Sequence, residues 1–123
     1  MNQKRRILIV EDDPFISSIY LTGLQNKGYE VDVVNDGQQA IEKLANTPYS
    51  LILLDLLMPK KDGFSVLTDL EANPNINVPV IVLTNLGRKE HISKAMDMGA
   101  KDYIIKSQYS TDEVIERIEN VLK

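Results

Sequence analysis

Cysteine is absent from the 123 residues, so neither a disulfide framework nor a thiolate metal site can be built, which suits a reducing compartment. Long apolar runs are absent too. The basic opening MNQKRR leads into Ile7–Val10, but Glu11, Asp12 and Asp13 stop that run far short of a signal-peptide core or a membrane span. An excess of positive charge is missing as well. The formal net charge is −4, and no lysine/arginine stripe follows any helical segment, which argues against direct DNA or RNA binding. Neither G-x-G-x-x-G nor G-x-x-x-x-G-K-[ST] follows the first apolar run, so a flavin or dinucleotide cradle is disfavoured. No internal repeat, low-complexity tract or linker interrupts the chain. The length fits one domain spanning residues 1–123, expected to be cytoplasmic, not inserted in a membrane, and without an output domain.

What is present is a strict alternation. Five short apolar runs, Ile7–Val10, Val31–Val34, Leu51–Leu54, Val80–Leu83 and Tyr103–Ile105, are rich in isoleucine, valine and leucine. The first, third and fourth lack polar alternation, as strands covered on both faces do. Helical stripes separate them: Ile16/Ile19/Tyr20/Leu24, Ala40/Ile41/Leu44/Ala45, Phe64/Leu67/Leu70, Ile92/Ala95/Met96, and Val114/Ile115/Ile118/Val121/Leu122. Asp13-Pro14, Asp36 and Asp62 read as helix starts, Gly28 and Gly99 as helix stops, and Asn73-Pro74 with Val78-Pro79 as a loop. Alternating strands and helices imply parallel strands with right-handed crossovers. The expected fold is a five-stranded, doubly wound parallel α/β sheet, (βα)5, with helices on both faces.

In such a sheet, ligands bind beyond the carboxyl ends of the strands. There the sequence places Glu11, Asp12 and Asp13, then Asp55, then Thr84, then Lys106. Two carboxylates about 4 Å apart repel by ~4 kcal/mol at an effective dielectric of roughly 20, so a cluster of three must take up protons or share a cation. A hard oxygen site of this kind suits Mg²⁺ better than Zn²⁺. Asp13, before a proline, reads as a helix cap rather than a ligand. Asp55, flanked by apolar residues, stands where an idle charge is costly. His91, the single histidine, is expected on an exposed helix face with no catalytic role, and Met96 and Met98 as core or near-surface filling.

The ordered set ILIVEDDP, LILLDLLMPKKDG, VIVLTN and GAKDYIIK closely resembles the response-regulator receiver family, over essentially the whole chain. The resemblance implies a flavodoxin-like receiver fold and a two-component phosphorelay switch rather than an enzyme, one that assists its own Mg²⁺-dependent phosphoryl transfer and dephosphorylation. Asp55 would be the phosphoacceptor. Asp12 would bind Mg²⁺ (or Mn²⁺ as a substitute) directly, with Asp55, with Glu11 assisting and with the backbone carbonyl of Leu57 as a further ligand. Thr84 and Lys106 would bind phosphoryl oxygens, and Tyr103 would change rotamer with Thr84. The implied partners are a sensor histidine kinase or phosphotransfer protein and a downstream protein effector, engaged through the fourth helix, fifth strand and fifth helix, with a phosphorylation-linked dimer as a further expectation.

Three features, at four positions, depart from the family pattern. Ser107 follows Lys106 where the family usually has proline and a cis bond; a cis bond before another residue costs ~3 kcal/mol, so a trans or strained loop is expected. Asn85 replaces a very small residue and would narrow access to the pocket. Leu57 and Leu86 flank the implied route of the hydrolytic water but cannot orient it, which suggests slow dephosphorylation. Two other functions compete. A non-phosphorylated pseudo-receiver would use the same fold as a binding module. A hydrolase of the haloacid-dehalogenase type would need a second aspartate two residues after Asp55, where Leu57 stands.

Overall fold

The computed structural model describes residues 5–123; residues 1–4, most of the basic opening segment, lie outside the described residues. Five strands, β1 (Arg6–Val10), β2 (Glu30–Val34), β3 (Leu51–Leu54), β4 (Val80–Thr84) and β5 (Asp102–Ile105), alternate with α1 (Pro14–Asn26), α2 (Gly37–Asn46), α3 (Gly63–Ala72), α4 (Lys89–Asp97) and α5 (Thr111–Leu122). All strand pairs are parallel, in the order β2-β1-β3-β4-β5. The doubly wound expectation holds; β3 coincides with its apolar run, and each of the other four strands extends one residue beyond its own. Thr84 is therefore the last residue of β4 rather than the first after it.

The pleat sorts the strand residues into two cores. Ile7, Ile9, Leu51, Leu53, Ile81, Leu83 and Ile104 pack against Tyr20 and Leu24 of α1 and Val114, Ile115 and Ile118 of α5. Their alternates, Leu8, Val10, Ile52, Leu54, Val80 and Val82, pack against α2, α3 and α4 through Ala40, Leu44, Val66, Leu67 and Ala95. Two-sided burial explains why the central strands read as unbroken apolar runs. Among the described residues, no helix is long and apolar enough to cross a membrane.

Helix starts follow the sequence. The Asp13 carboxylate accepts from the Phe15 and Ile16 amides, Asp36 from Gln39 and Asp62 from Ser65, satisfying first-turn donors. Ser110 and Glu113 form a reciprocal capping box on α5. Gly28 and Gly99 take positive φ, +97° and +103°, just past the ends of α1 and α4.

Two expectations are corrected. Ile19 does not join the buried stripe of α1; it is 43% exposed, while Ser17 is buried in that helix instead. His91 is half-buried rather than a free surface residue. Its ring lies 6.1 Å from that of Phe64 on α3, and its Nδ1 is buried without a hydrogen-bond partner among the described residues. Lys94, one turn on, places its ammonium 4.3 Å from the centre of the same Phe64 ring.

Candidate functional site

Strand order reverses at β1, whose two neighbours, β2 and β3, follow it in the chain. The crevice at the carboxyl ends of β1 and β3 is where this topology leaves room for a ligand. Glu11 leaves β1 there and Asp55 leaves β3, their backbones tied by hydrogen bonds from Glu11 N–H to Val34 O and from Asp55 N–H to Val10 O, each 3.0 Å.

Both carboxylates are nearly enclosed, Glu11 at 4% exposed and Asp55 at 6%. Lys106, at the far end of β5, reaches between them. Its Nζ lies 2.5 Å from Glu11 Oε1 and 2.8 Å from Asp55 Oδ2. The remaining oxygens are also engaged: the Asp13 amide donates to Glu11 Oε2 and the Leu57 amide to Asp55 Oδ1, each at 3.2 Å. Asp12 stands exposed at the rim, and carboxylate oxygens of Glu11, Asp12 and Asp55 come within 4.8 Å of one another.

The electrostatics record this crowding. Burial raises the Glu11 carboxyl to about 7; the Asp55 charge adds to that rise, whereas the Lys106 hydrogen bond opposes it. For Lys106 burial works toward a lower value, but the hydrogen bonds it donates to Asp55 and Glu11 outweigh it and hold the ammonium above its ordinary range. One ammonium thus faces three carboxylates, and an oxygen donor set with surplus negative charge is what a hard divalent cation requires. The residues present fit such an ion.

A second group sits one strand over. Thr84 is fully buried, and its Oγ1 accepts a long 3.5 Å contact from the Leu86 amide. Tyr103, half-buried on β5, donates through its hydroxyl to the Leu86 carbonyl at 2.6 Å. No hydrogen bond joins Thr84 or Tyr103 to Asp55 among the described residues. Sequence reasoning therefore brought Glu11, Asp12, Asp55 and Lys106 together correctly as neighbours, while Thr84, Leu86 and Tyr103 form an adjoining cluster. Asn85 is exposed, Leu57 is 54% exposed, and the Lys106–Ser107 peptide is trans, opening a short 3-10 turn, Lys106–Gln108.

The β3–α3 loop that carries Leu57 is fastened at both ends. Gly63 N–H donates to Leu56 O at 3.1 Å, and Gly37 N–H to Lys61 O at 3.0 Å. A Cβ on Gly63 would stand 2.4 Å from the Asp55 carbonyl oxygen, so only glycine lets α3 start there. Within the loop, Lys60 takes φ +63° while the Lys61 amide bonds back to Pro59 O at 2.7 Å, a tight three-residue turn. One feature escaped the sequence. Phe15, 78% exposed, and Ile19 lie one turn apart on α1, and with Leu57 they place apolar surface on the segments that carry the acidic residues. The signal was there in an apolar residue directly after Pro14, but a helix start gives no hint of what lies beside it.

Comparison with known proteins agrees over nearly the whole chain. The family model described as response regulator receiver domain matches residues 7–119. Transcriptional regulatory protein RprY of Bacteroides fragilis is 37% identical over 123 residues, covering 100% of this chain and 51% of that protein. The chain thus spans about half the length of the curated relatives it matches. Among solved structures, a receiver domain of a Francisella response regulator is similar with TM-score 0.88 and 34% identity, covering 97% of this chain and 96% of that one. The BeF3-activated receiver domain of Klebsiella pneumoniae RstA matches with TM-score 0.88 and 30% identity, covering 97% and 99%.

Proposed function

The chain belongs to the response regulator receiver family of two-component systems, and from that premise we propose that it is a switch thrown by phosphorylation of Asp55. The observation that carries this reading is the single Lys106 ammonium bridging Asp55 and Glu11, with Asp12 close by. In the proposed step an Asp55 carboxylate oxygen forms the new O–P bond as the N–P bond of a phosphohistidine donor breaks, and the departing imidazole keeps that bond's electron pair. Glu11, Asp12, Asp55 and the Leu57 carbonyl would hold Mg²⁺, or Mn²⁺ in its place, which supplies charge neutralisation beside the transferring group.

The chain's own residues do the rest. Lys106 leaves its bridge to meet a phosphoryl oxygen, and Thr84 offers its hydroxyl to another. Apolar Phe15, Ile19 and Leu57 give a kinase or phosphotransfer protein a surface to press against, excluding water from the transfer. The added charge of about −2 favours whichever arrangement of Thr84 best neutralises it. Leu86 touches both Thr84 and Tyr103, so movement of that segment reaches the α4–β5–α5 face, where an effector or a second copy would dock. Coupling of ~1–3 kcal/mol is enough to change partner affinity several-fold. The donor, the switch and its effector meet in the cytoplasm in this scheme.

Acetyl phosphate with Mg²⁺ tests the reading without a cognate kinase. Intact-mass measurement is expected to find one phosphoryl group on the native chain and none on Asp55→Asn, with chromatography of the labelled form reporting any dimer. A native chain that stays unlabelled at saturating donor would point instead to a binding module that never takes phosphate. Multiple turnover of phosphate monoesters would point to a hydrolase.

A further inference from the structure

One strained turn plays no part in the scheme above. Lys60, in the β3–α3 loop, takes φ +63°, a left-handed backbone that residues other than glycine seldom adopt. It is the sole non-glycine residue at positive φ among the described residues. With the Lys61 amide bonded back to Pro59 O at 2.7 Å, Lys60 is the centre of a three-residue turn of the rare, strained hand. Such an outlier persists only where its surroundings over-determine it, and outliers of this kind gather where backbone geometry serves a site.

The lysine side chain does not account for the turn. It is 75% exposed, and its one ion pair among the described residues, to Asp36 Oδ2 at 3.9 Å, is loose and screened by solvent. The backbone around it does. Gly37, the first residue of α2, donates its N–H to Lys61 O at 3.0 Å, and a Cβ on Gly37 would press into that same oxygen. Just before α2, Val34 O at the end of β2 accepts the Glu11 N–H at 3.0 Å. The β2–α2 turn adds no residue to the acidic cluster, yet its two ends brace the two segments that supply it. On the strand side of Lys60, the Leu57 amide holds Asp55 Oδ1 at 3.2 Å. The path the backbone takes at Lys60 is therefore felt at Asp55.

We propose that Lys60 is a positioning residue of this site: its left-handed backbone, braced by Gly37, turns the β3–α3 loop so that the Leu57 amide holds the Asp55 carboxylate and the Leu57 carbonyl meets the cation. Groups behind a ligand are worth a good deal, because an ion tolerates little misdirection of the oxygens that face it. The inference rests on the receiver reading of Glu11, Asp12 and Asp55 as a cation site, and adds the backbone at Lys60 and Gly37 to what that site requires.

Exchanges at this exposed position vary the backbone preference and little else. Glycine reaches positive φ freely, glutamine keeps an unbranched side chain without the charge, and β-branched valine resists that conformation. Calorimetric titration of the full chain with Mg²⁺ alone is expected to give dissociation constants within twofold of native for Lys60→Gly and Lys60→Gln. For Lys60→Val it should be about tenfold weaker, at the low end for lost support behind a ligand. The metal-free urea midpoint of Lys60→Val should stay close to native, because the loop relaxes rather than bears the strain. In ¹⁵N-labelled protein without Mg²⁺, the Leu57 amide signal should shift in Lys60→Val and hold in Lys60→Gly. Gly37→Ala, which pushes on Lys61 O from α2, is expected to weaken Mg²⁺ binding with Lys60 in place. A Lys60→Val affinity within twofold of native, with the loss confined to the urea midpoint, would make the turn a matter of stability alone and overturn the proposal. So would equal weakening by Lys60→Gln and Lys60→Val, since the ammonium would then be the cause. A native chain that takes up no Mg²⁺ at millimolar levels would be a different failure, removing the cation site and the positioning role with it.

Discussion

Leu57 stands two residues past the proposed phosphoacceptor, with its amide turned back onto Asp55 Oδ1 and its side chain 54% exposed. A leucine there shields the bond without offering a hydrogen bond to an incoming water. Leu57→Asn supplies that hydrogen bond and is expected to shorten the lifetime of phosphorylated Asp55 several-fold, read from the decay of label after donor removal. An unchanged decay would move control of hydrolysis elsewhere. At the other edge of the sheet, Asp32 on β2 takes hydrogen bonds from Tyr49 at 2.6 Å and from Arg6 at 3.1 Å and 3.2 Å. Burial works to raise its carboxyl, but those bonds prevail and hold it below the ordinary 3.8. A depressed carboxyl stabilises the fold above its unfolded value, and that contribution fades as the pH falls through the folded value. Asp32→Asn should therefore cost about 1–2 kcal/mol in urea unfolding at pH 7, after allowance for partial exposure, and the gap to native should close below about pH 3.8. A gap that stays constant with pH would mean that packing, not charge, holds Asp32.

At the scale of elements, Gly63 decides how closely α3 can begin beside Asp55. Alanine there would set a Cβ 2.4 Å from the Asp55 carbonyl oxygen and 2.7 Å from the Leu56 Cα, both backbone atoms that cannot swing aside. Gly63→Ala should cost on the order of 2–3 kcal/mol, seen as a lower urea midpoint at unchanged slope, and should weaken Mg²⁺ binding because the Asp55 loop must shift. The same helix illustrates what a sequence can disclose. Its start was legible at Asp62, because a capping carboxylate acts within three residues of its own chain. The five strands were legible because burial on both faces leaves apolar runs that no alternation interrupts. The meeting of Glu11, Asp12, Asp55 and Lys106 followed from those strands, since their carboxyl ends share one rim. Hidden were the features that depend on which helix lies beside which. Ile19 has the spacing of a core residue yet faces outward, and His91 tucks against Phe64 across two helices. Periodicity defines a face but not the neighbour that covers it.

The whole molecule carries a tension that its fold alone does not relieve. Glu11 and Asp55 are held almost out of solvent with Asp12 nearby, and a single lysine serves two of the three. Removing one partner from such a buried set leaves charge uncompensated, so the folded state gains from any cation it can bind and the unfolded chain, which disperses these residues, does not. Binding confined to the folded state stabilises it by RT ln(1 + [L]/Kd), about 1.4 kcal/mol at tenfold excess over the dissociation constant and about 2.7 kcal/mol at a hundredfold. For a chain of 123 residues, a melting temperature higher by about 5 °C at the first concentration and about 10 °C at the second is the expected outcome. Asp12→Asn should flatten the rise while leaving the metal-free melting temperature close to native, because Asp12 is exposed and accepts no hydrogen bond among the described residues. Monovalent salt at equal ionic strength should not reproduce it, since screening acts weakly on buried pairs. If sodium chloride raised the melting temperature as far as magnesium chloride does, general charge relief would account for the stabilisation, and the crevice would lose its standing as a specific cation site.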